Sequence, residues 1–532
     1  MSLRRRLLWL FPLCSLSVGC VSEPSESSNG SDRSVRDNPH VNLPDDGVLV
    51  GGFAGDGGVP DAGPDVVTVS APMRYFTASG METRPGNLAS VPQILVPQAD
   101  GTFVTYSGVA DGSGGYVFSN IPKGTYYLKN GSGYIVTDAR AVDVGYDMLG
   151  RADAQKLPGV YSALFQFNVS NLAPWDSSAS FQVVSGEVDM YGGGYPTTAP
   201  AAGGTTLVGS NWMDSYLGEM PRFEAARGDR AWVMQNSTLD AGTLPGDAGT
   251  LTYTAVSRSS YLAPFSFDGS QSIVVQGAMA DPPDTVFPIE WRVPSFLGQA
   301  ATVHPQATSS SAYFYVMPAA HGLANGWIGY SGELLTLRLP TGYTQDLVRR
   351  LSFGNPFPSS WGLMGEVQHA FRIPVQVPGY STYYNSASIY QMDRLDKLIA
   401  NPISLSLSPP RELTLDGVSA YTSRMVGSAS PVIGWKPPAI GTPTAGYHIR
   451  LYKYAPASTG STTLTRKAMA GFYVGPSVTE LRLPSGVLEP AQNYTLEVSA
   501  IATPADLTRA PYRINSASYA RASATTSLFT TP

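Results

Sequence analysis

The stretch Leu488-Glu-Pro490-Ala-Gln-Asn-Tyr494-Thr-Leu496-Glu-Val498-Ser-Ala500 decides the fold class. Its apolar residues Tyr494, Leu496 and Val498 sit two apart, so an extended chain turns all three to one face, the core side. Toward the N-terminus, Tyr447-His-Ile449-Arg-Leu451 alternates in the same way. Pro431-Val-Ile-Gly-Trp435-Lys-Pro437-Pro438 reads as a strand with a buried Trp, ended by prolines that cannot donate to a ladder. Far upstream, in Asp111-Gly-Ser-Gly-Gly-Tyr116-Val-Phe118-Ser-Asn-Ile121-Pro122-Lys-Gly124-Thr-Tyr126-Tyr-Leu128, Tyr116 with Phe118 and Tyr126 with Leu128 repeat the alternation on either side of a Pro-Gly turn. Period two therefore recurs at both ends of the chain.

Composition agrees. The 532 residues include 55 Gly and 43 Pro, and only 14% are charged. Glycine supplies the positive φ of tight turns and proline fixes φ, so an excess of both implies short elements joined by turns. The 29 Tyr, with abundant Thr, Ser and Val, suit a pleated surface. We expect an all-β chain of several β-sandwich modules in tandem, since the length exceeds what one ordinary core fills. The formal charge is −6, or −9 without Arg4, Arg5 and Arg6, and no basic run occurs. Such a chain repels phosphate backbones, so no nucleic-acid partner is expected. Cys14 and Cys20 are the only cysteines, which leaves the body without a disulfide or a thiolate metal site.

The N-terminal residues carry three arginines and then an apolar run over 7–18 that is too short for the roughly 20 residues of a membrane span. Residues 1–19 read as a signal peptide. Leu16-Ser17-Val18-Gly19-Cys20 resembles a bacterial lipobox, with Ser17 where that family prefers Leu. The resemblance implies lipid attachment at Cys20, hence a membrane partner. Val21 in place of Asp implies the outer membrane, with the protein in the cell envelope facing the periplasm or the cell surface. A plain secretory peptide with Cys20 incidental is the other reading. Residues 20–66 are rich in Gly, Ser, Asp and Pro and read as a disordered tether spanning about 40 Å. Asp56, Asp61 and Asp65 lack the alternate spacing of a calcium loop.

Two resemblances bracket the body. The Asp111–Leu128 pattern resembles carboxypeptidase regulatory-like and Cna-B-like sandwiches, which implies a spacer or adhesion-like module over 67–157. The Trp435, Tyr447 and Tyr494 strands resemble a fibronectin type III domain over 403–532, which implies a tyrosine corner with the Tyr494 hydroxyl bonded to backbone upstream. Residues 456–471 read as a loop-like insertion there. The middle region, 158–402, matches no family pattern and reads as one large or two smaller sandwiches, with a possible boundary near Pro282-Pro283. Strand signals fall at 165–169, 187–190, 230–234, 251–255, 272–276, 313–317, 335–339 and 371–377. Helical spacing occurs at 345–351, and at 389–399 with Met392, Leu395 and Ile399 on one face.

Chemistry is sparse. Among His40, His304, His321, His369 and His448, only Glu366-Val-Gln-His369 has a metal-like spacing, and its strand pattern sends the two residues to opposite faces. No metal site, no cofactor and no catalytic residue is expected. Gly329-Tyr-Ser331-Gly332 lacks the context of a nucleophile elbow. Asp214, Glu219, Glu224, Glu290 and Glu366 are the middle-region acids from which a hydrolase would draw a carboxylate pair. Arg227-Gly228-Asp229 matches a short adhesion signal, but such tripeptides arise often by chance and the favoured reading is an ordinary strand entry. Tyr383, Tyr384, Tyr390, Trp212 and Tyr216 are candidates for a sugar-stacking platform, set against the ordinary role of tyrosine in sandwich cores. The favoured expectation is a non-enzymatic, surface-anchored binding or structural protein with a carbohydrate or envelope-protein partner. A secreted polysaccharide-active hydrolase with accessory modules is the alternative.

Overall fold

The computed structural model describes residues 65–88, 90–244, 249–322, 331–513 and 518–532. Cys14, Cys20, His40, Asp56, Asp61, Gly329 and the signal and tether segments up to residue 64 lie outside them. Strands dominate the described residues. Helix is confined there to single turns at Val293–Leu297, Ala300–Val303 and Leu395–Leu398, with a 3-10 turn at Ala225–Arg227. The chain is all-β and rich in sandwiches.

At the C-terminus two sheets pack face to face. One contains Arg411–Leu415, Val418–Ser419, Val432–Lys436 and Glu480–Arg482. The other contains Leu464–Val474, Gly446–Pro456, Asn493–Ala502 and Tyr519–Thr525. Trp435 meets Tyr447 edge-on between them at 5.2 Å. Leu496 and Val498 are fully buried, and the Tyr494 hydroxyl accepts a 2.9 Å hydrogen bond from the Glu489 N–H. That is the tyrosine corner the sequence pattern implied. The stretch expected as a loop is mostly hairpin, since Gly446–Pro456 pairs with Leu464–Val474 out to Pro456 opposite Leu464. Buried Leu464 and Ala470 alternate there with exposed Thr465 and Lys467, so one face of the ladder packs while the polar face masks it in the sequence.

The N-terminal module closes on Phe118, Ile121, Tyr126 and Leu128, all buried. Its turn uses Gly124 at φ 109°, a left-handed position that favours glycine. Asp111 folds the preceding loop by accepting from the Ser113 and Gly115 N–H groups at 2.7 and 3.0 Å. In the middle region, a core of Phe165, Phe167, Trp175, Phe181 and Met213 runs as far as Met279, just before Pro282-Pro283. A wide sheet of Thr308–Ala319, Gly362–Val375 and Tyr383–Arg394 follows.

Three local expectations are corrected. Residues 345–351 are not helical: Leu347–Gly354 is a strand paired with Asp284–Trp291. Leu347 and Leu351 are four apart, a spacing that shares a face in a strand as well as in a helix. Residues 389–399 are strand as far as Arg394, with only one helical turn after it. Ile389 and Met392 are both buried because both faces of that strand are covered, and this imitates helical spacing. Residues 187–189 form the turn between Ser180–Ser185 and Met190–Gly194, with Asp189 at φ 49°.

Strand pairing ties the modules together. Tyr383–Arg394 pairs with Tyr519–Thr525, placing Ile389 opposite Ala522. On the far side of the same sheet, Gly133–Thr137 pairs in parallel with Leu464–Val474, placing Ile135 opposite Tyr473. Both edges of the C-terminal sheet are thereby covered, which removes two templates for aggregation.

Candidate functional site

This shared sheet has one apolar and one polar face. Along Asn493–Ala502, Leu496, Val498 and Ala500 pack into the core while Thr495, Glu497 and Ser499 turn the other way. Continuous register arranges the polar side chains in transverse rows. One row runs Tyr313, Gln368, Tyr390 and Arg521 across four strands. The next runs Ser523, Ser499, His448 and Tyr473. A third runs Thr525, Glu497 and Arg450. Along Tyr383–Arg394 this face grades from exposed Tyr384 and Ser386, through half-buried Ser388 and Tyr390, to buried Met392. It is a shallow polar trough, exposed at the Tyr384 end, with Ser388 half-buried and Ser499 and Ser523 fully buried beneath.

Ion pairs and rings stiffen the trough. Glu497 accepts from Arg450 at 2.8 Å and from Arg521 at 3.0 Å. Arg521 also donates to the Ser499 hydroxyl at 2.9 Å, which lies 2.8 Å from the Ser523 hydroxyl. Burial alone would raise the Glu497 carboxyl, but the Arg450 and Arg521 charges and the Arg450 hydrogen bond outweigh it and hold it well below the usual range. Tyr390 stacks on Tyr519 at 5.4 Å and His448 on Tyr473 at 4.2 Å. The guanidinium of Arg466 lies over Tyr452 at 4.0 Å, and that of Arg372 over Tyr384 at 3.5 Å. Burial pushes the hydroxyls of Tyr390 and Tyr473 well up. Burial, then the Arg450 and Arg521 charges, press His448 far down, so its imidazole is neutral. Gln368 is 5% exposed and its Oε1 has no hydrogen-bond partner, an acceptor that a ligand donor would satisfy.

Of the five sequence-picked aromatics, only Tyr390 and Tyr384 belong to this face. Tyr383 turns the other way and packs on Tyr454. Tyr216 packs edge-on against Tyr191. Trp212 stands on the middle-region strand Leu207–Ser215, open to water. The middle-region acids are dispersed. Asp214 is exposed, Glu219 accepts from the Gly159 N–H, and Glu290 pairs with Arg292. Glu366 is buried on the trough face, whereas His369 lies on the opposite face, 2.9 Å from the Ser309 hydroxyl, with burial lowering it to about 4. His304 is likewise lowered by burial to about 4, beside the Ser527 hydroxyl. Ser331 is buried ahead of the strand Leu335–Arg338. Among the described residues no three His, Cys, Asp or Glu side chains gather as a metal site would require.

A second recess of about 400 Å³ lies between the hairpin residues 77–82 and Arg151, Glu187, Arg227, Asp229 and His321. Ion pairs hold its walls. Arg151 grips Asp229 through Nε at 3.0 Å and Nη2 at 2.9 Å, and also reaches Asp153 and Glu224, each at 2.8 Å. Asp229 is fully buried, so the Arg227-Gly228-Asp229 tripeptide does not display its acid to a partner.

The trough's key groups, Arg450, Glu497, Arg521, Tyr473 and Tyr519, were missed by sequence reading. The available signal was a polar residue at every second position of strands whose alternate positions are apolar. No known protein family matches the chain, and no curated protein does. Among solved structures, the crystal structure of chicken CNTN1 FN1-FN3 domains is 11% identical, with 71% of this chain and 98% of that chain covered, at a TM-score of 0.12.

Proposed function

We propose that this chain is a non-enzymatic, modular binding protein of the bacterial cell envelope, anchored by a lipid on Cys20 at the outer membrane, that holds a saccharide in the trough. The observation that carries the reading is the presence, on one sheet face, of the half-buried Ser388 hydroxyl, the Arg521 guanidinium held by buried Glu497, and half-open Tyr390 and Tyr473. Sugars offer hydroxyls to planar charged groups and C–H faces to aromatic rings, and a preformed recess spares the ordering cost of binding. The neighbouring module resembles a spacer, which suits presentation of such a face away from a lipid surface.

The test uses the full-length chain with Cys20→Ala, probed on a glycan array and by calorimetry with the best soluble oligosaccharide. Tyr390→Ala and Ser388→Trp, which removes a wall and fills the floor, should each weaken binding about tenfold or more. Binding that ignores both substitutions, or no glycan bound at all, would sink the trough reading. Release of shortened sugar products would sink its non-enzymatic part. Wild-type protein should partition with membranes and the Cys20→Ala protein should not; equal partitioning refutes the anchor.

A further inference from the structure

A different set of strands carries a second set of observations, in the middle region. Ser162–Ser170 lies between Leu207–Ser215, antiparallel, and Ile273–Ala278, parallel. Inward residues Phe165, Phe167, Val169, Met213 and Val275 fill the core beneath. A strand face turned to water ordinarily carries polar and charged side chains. Here the outward positions hold Trp212, directly opposite Leu164, and Gln166, flanked by Ser210 and Val274. The next positions along hold Val208, Asn168 and Gln276.

Exposure separates this face from ordinary surface. Trp212 is 57% exposed, Val208 78% and Val274 55%. Every other described Trp (Trp175, Trp232, Trp291, Trp361 and Trp435) is at most 5% exposed. A lone open apolar residue needs no explanation, but three on one small uncharged face, one of them the exposed Trp, do. The face is also nearly free of charge. Among the outward positions of the three strands only Asp214, at one end, is ionised. That disfavours polyanions and charged protein patches, and complements an uncharged partner.

We propose that this outer face is a second saccharide-binding surface, taking an uncharged, extended polysaccharide such as a neutral glucan or chitin-like chain. Trp212 offers its indole plane to the C–H face of a sugar ring. Gln166, Asn168 and Gln276 each present an acceptor and two donors to hydroxyls, with no charge to desolvate. Three strands at about 4.8 Å spacing, and outward positions about 6.8 Å apart along each, make a shelf roughly 10 by 20 Å. It is wide enough for a polymer chain lying across it and has no walls to select a terminus. This surface is separate from the trough and stands whether or not the trough binds sugar.

The experiment is retention of the full-length Cys20→Ala chain on insoluble curdlan, cellulose and chitin, at 0.05 and 0.5 M salt. Retention on at least one polymer is expected, equal at both salt levels because no charge is involved. Trp212→Ala should weaken it about tenfold or more, Trp212→Phe should keep most of it, and Ser388→Trp should leave it unchanged. Trp212 is exposed, so its replacement leaves the core intact, and an unchanged melting curve verifies this. No retention on any of the three polymers overturns the proposal. So does retention indifferent to Trp212→Ala, retention lost at high salt, or retention lost only with Ser388→Trp, which assigns the polymer to the trough. Capture of a protein with no retention on bare polymer also overturns it.

Discussion

Two buried carboxylates, one at each junction of the C-terminal sandwich, sit between pairs of guanidiniums and come out oppositely. Glu497, next to the middle-region junction, receives Arg450 and Arg521 at 2.8 and 3.0 Å and a further hydrogen bond from Ser499 at 3.2 Å. Asp147, at the N-terminal junction, faces Arg74 at 3.6 Å and Arg513 at 3.5 Å, with Asp143 close by. One of its oxygens, Oδ1, has no hydrogen bond, and the side chain is fully buried. Burial raises Asp147 to about 6 despite both arginines, whereas the arginines win at Glu497. The same constellation thus stabilises the ionised form in one place and penalises it in the other. Contacts longer by half an ångström or more, an unmade hydrogen bond and the nearby Asp143 charge set the sign at Asp147.

The comparison breaks most sharply at Glu497. Glu497→Gln leaves Arg450 and Arg521 buried with half a partner, and we expect a loss of about 3–5 kcal/mol in chemical denaturation at pH 7. Because the folded carboxyl is held below its unfolded value, its contribution is complete above about pH 4.5 and falls away as pH drops further. The variant should therefore also flatten the acid limb below that pH. A loss under 1 kcal/mol would show that the pair is no more than a surface bridge.

Asp147 predicts the reverse. With its folded value near 6 and an ordinary value of 3.8, the folded state keeps a proton that the unfolded chain has released. Its contribution is full below pH 3.8 and is lost as pH rises through 6, amounting to about 3 kcal/mol. Asp147→Asn imitates the protonated acid. It should raise stability by about 1–3 kcal/mol at pH 7 and change nothing near pH 4, read from denaturation curves at the two pH values. Destabilisation at pH 7 would mean that Arg74 and Arg513 need the charge, and the contrast with Glu497 would collapse.

Strand identity was legible wherever one face is dry, as at Tyr494, Leu496 and Val498, and so was the corner built on Tyr494. It failed where both faces are covered, since Ile389 and Met392 then imitate a helix. The trough was not legible because Arg450, Glu497 and Arg521 lie far apart in sequence and meet only through register. Polar residues at alternate positions announce a wet face, and the chain alone does not reveal that Thr495, Glu497, Ser499 and Ser523 on it are buried. Trp212 was a candidate from the sequence, and the structure leaves it exposed. Its neighbour Leu164, and Val274 beyond Gln166, became visible only when three strands from distant segments aligned.

Tyr494→Phe sharpens the comparison from the neutral side. The hydroxyl accepts one hydrogen bond, from the Glu489 N–H at 2.9 Å, in the same strand as Glu497 and three residues away. Removing it costs about 1 kcal/mol, the net worth of one neutral bond. Burial raises the Tyr494 hydroxyl, so it stays protonated across the acid and neutral range, and the loss should be constant from pH 4 to pH 9. The same denaturation series that bends at Glu497 and Asp147 should run parallel to wild type for Tyr494→Phe. If that variant also bent between pH 4 and 6, the curvature would belong to the sandwich as a whole, and neither carboxylate would account for it.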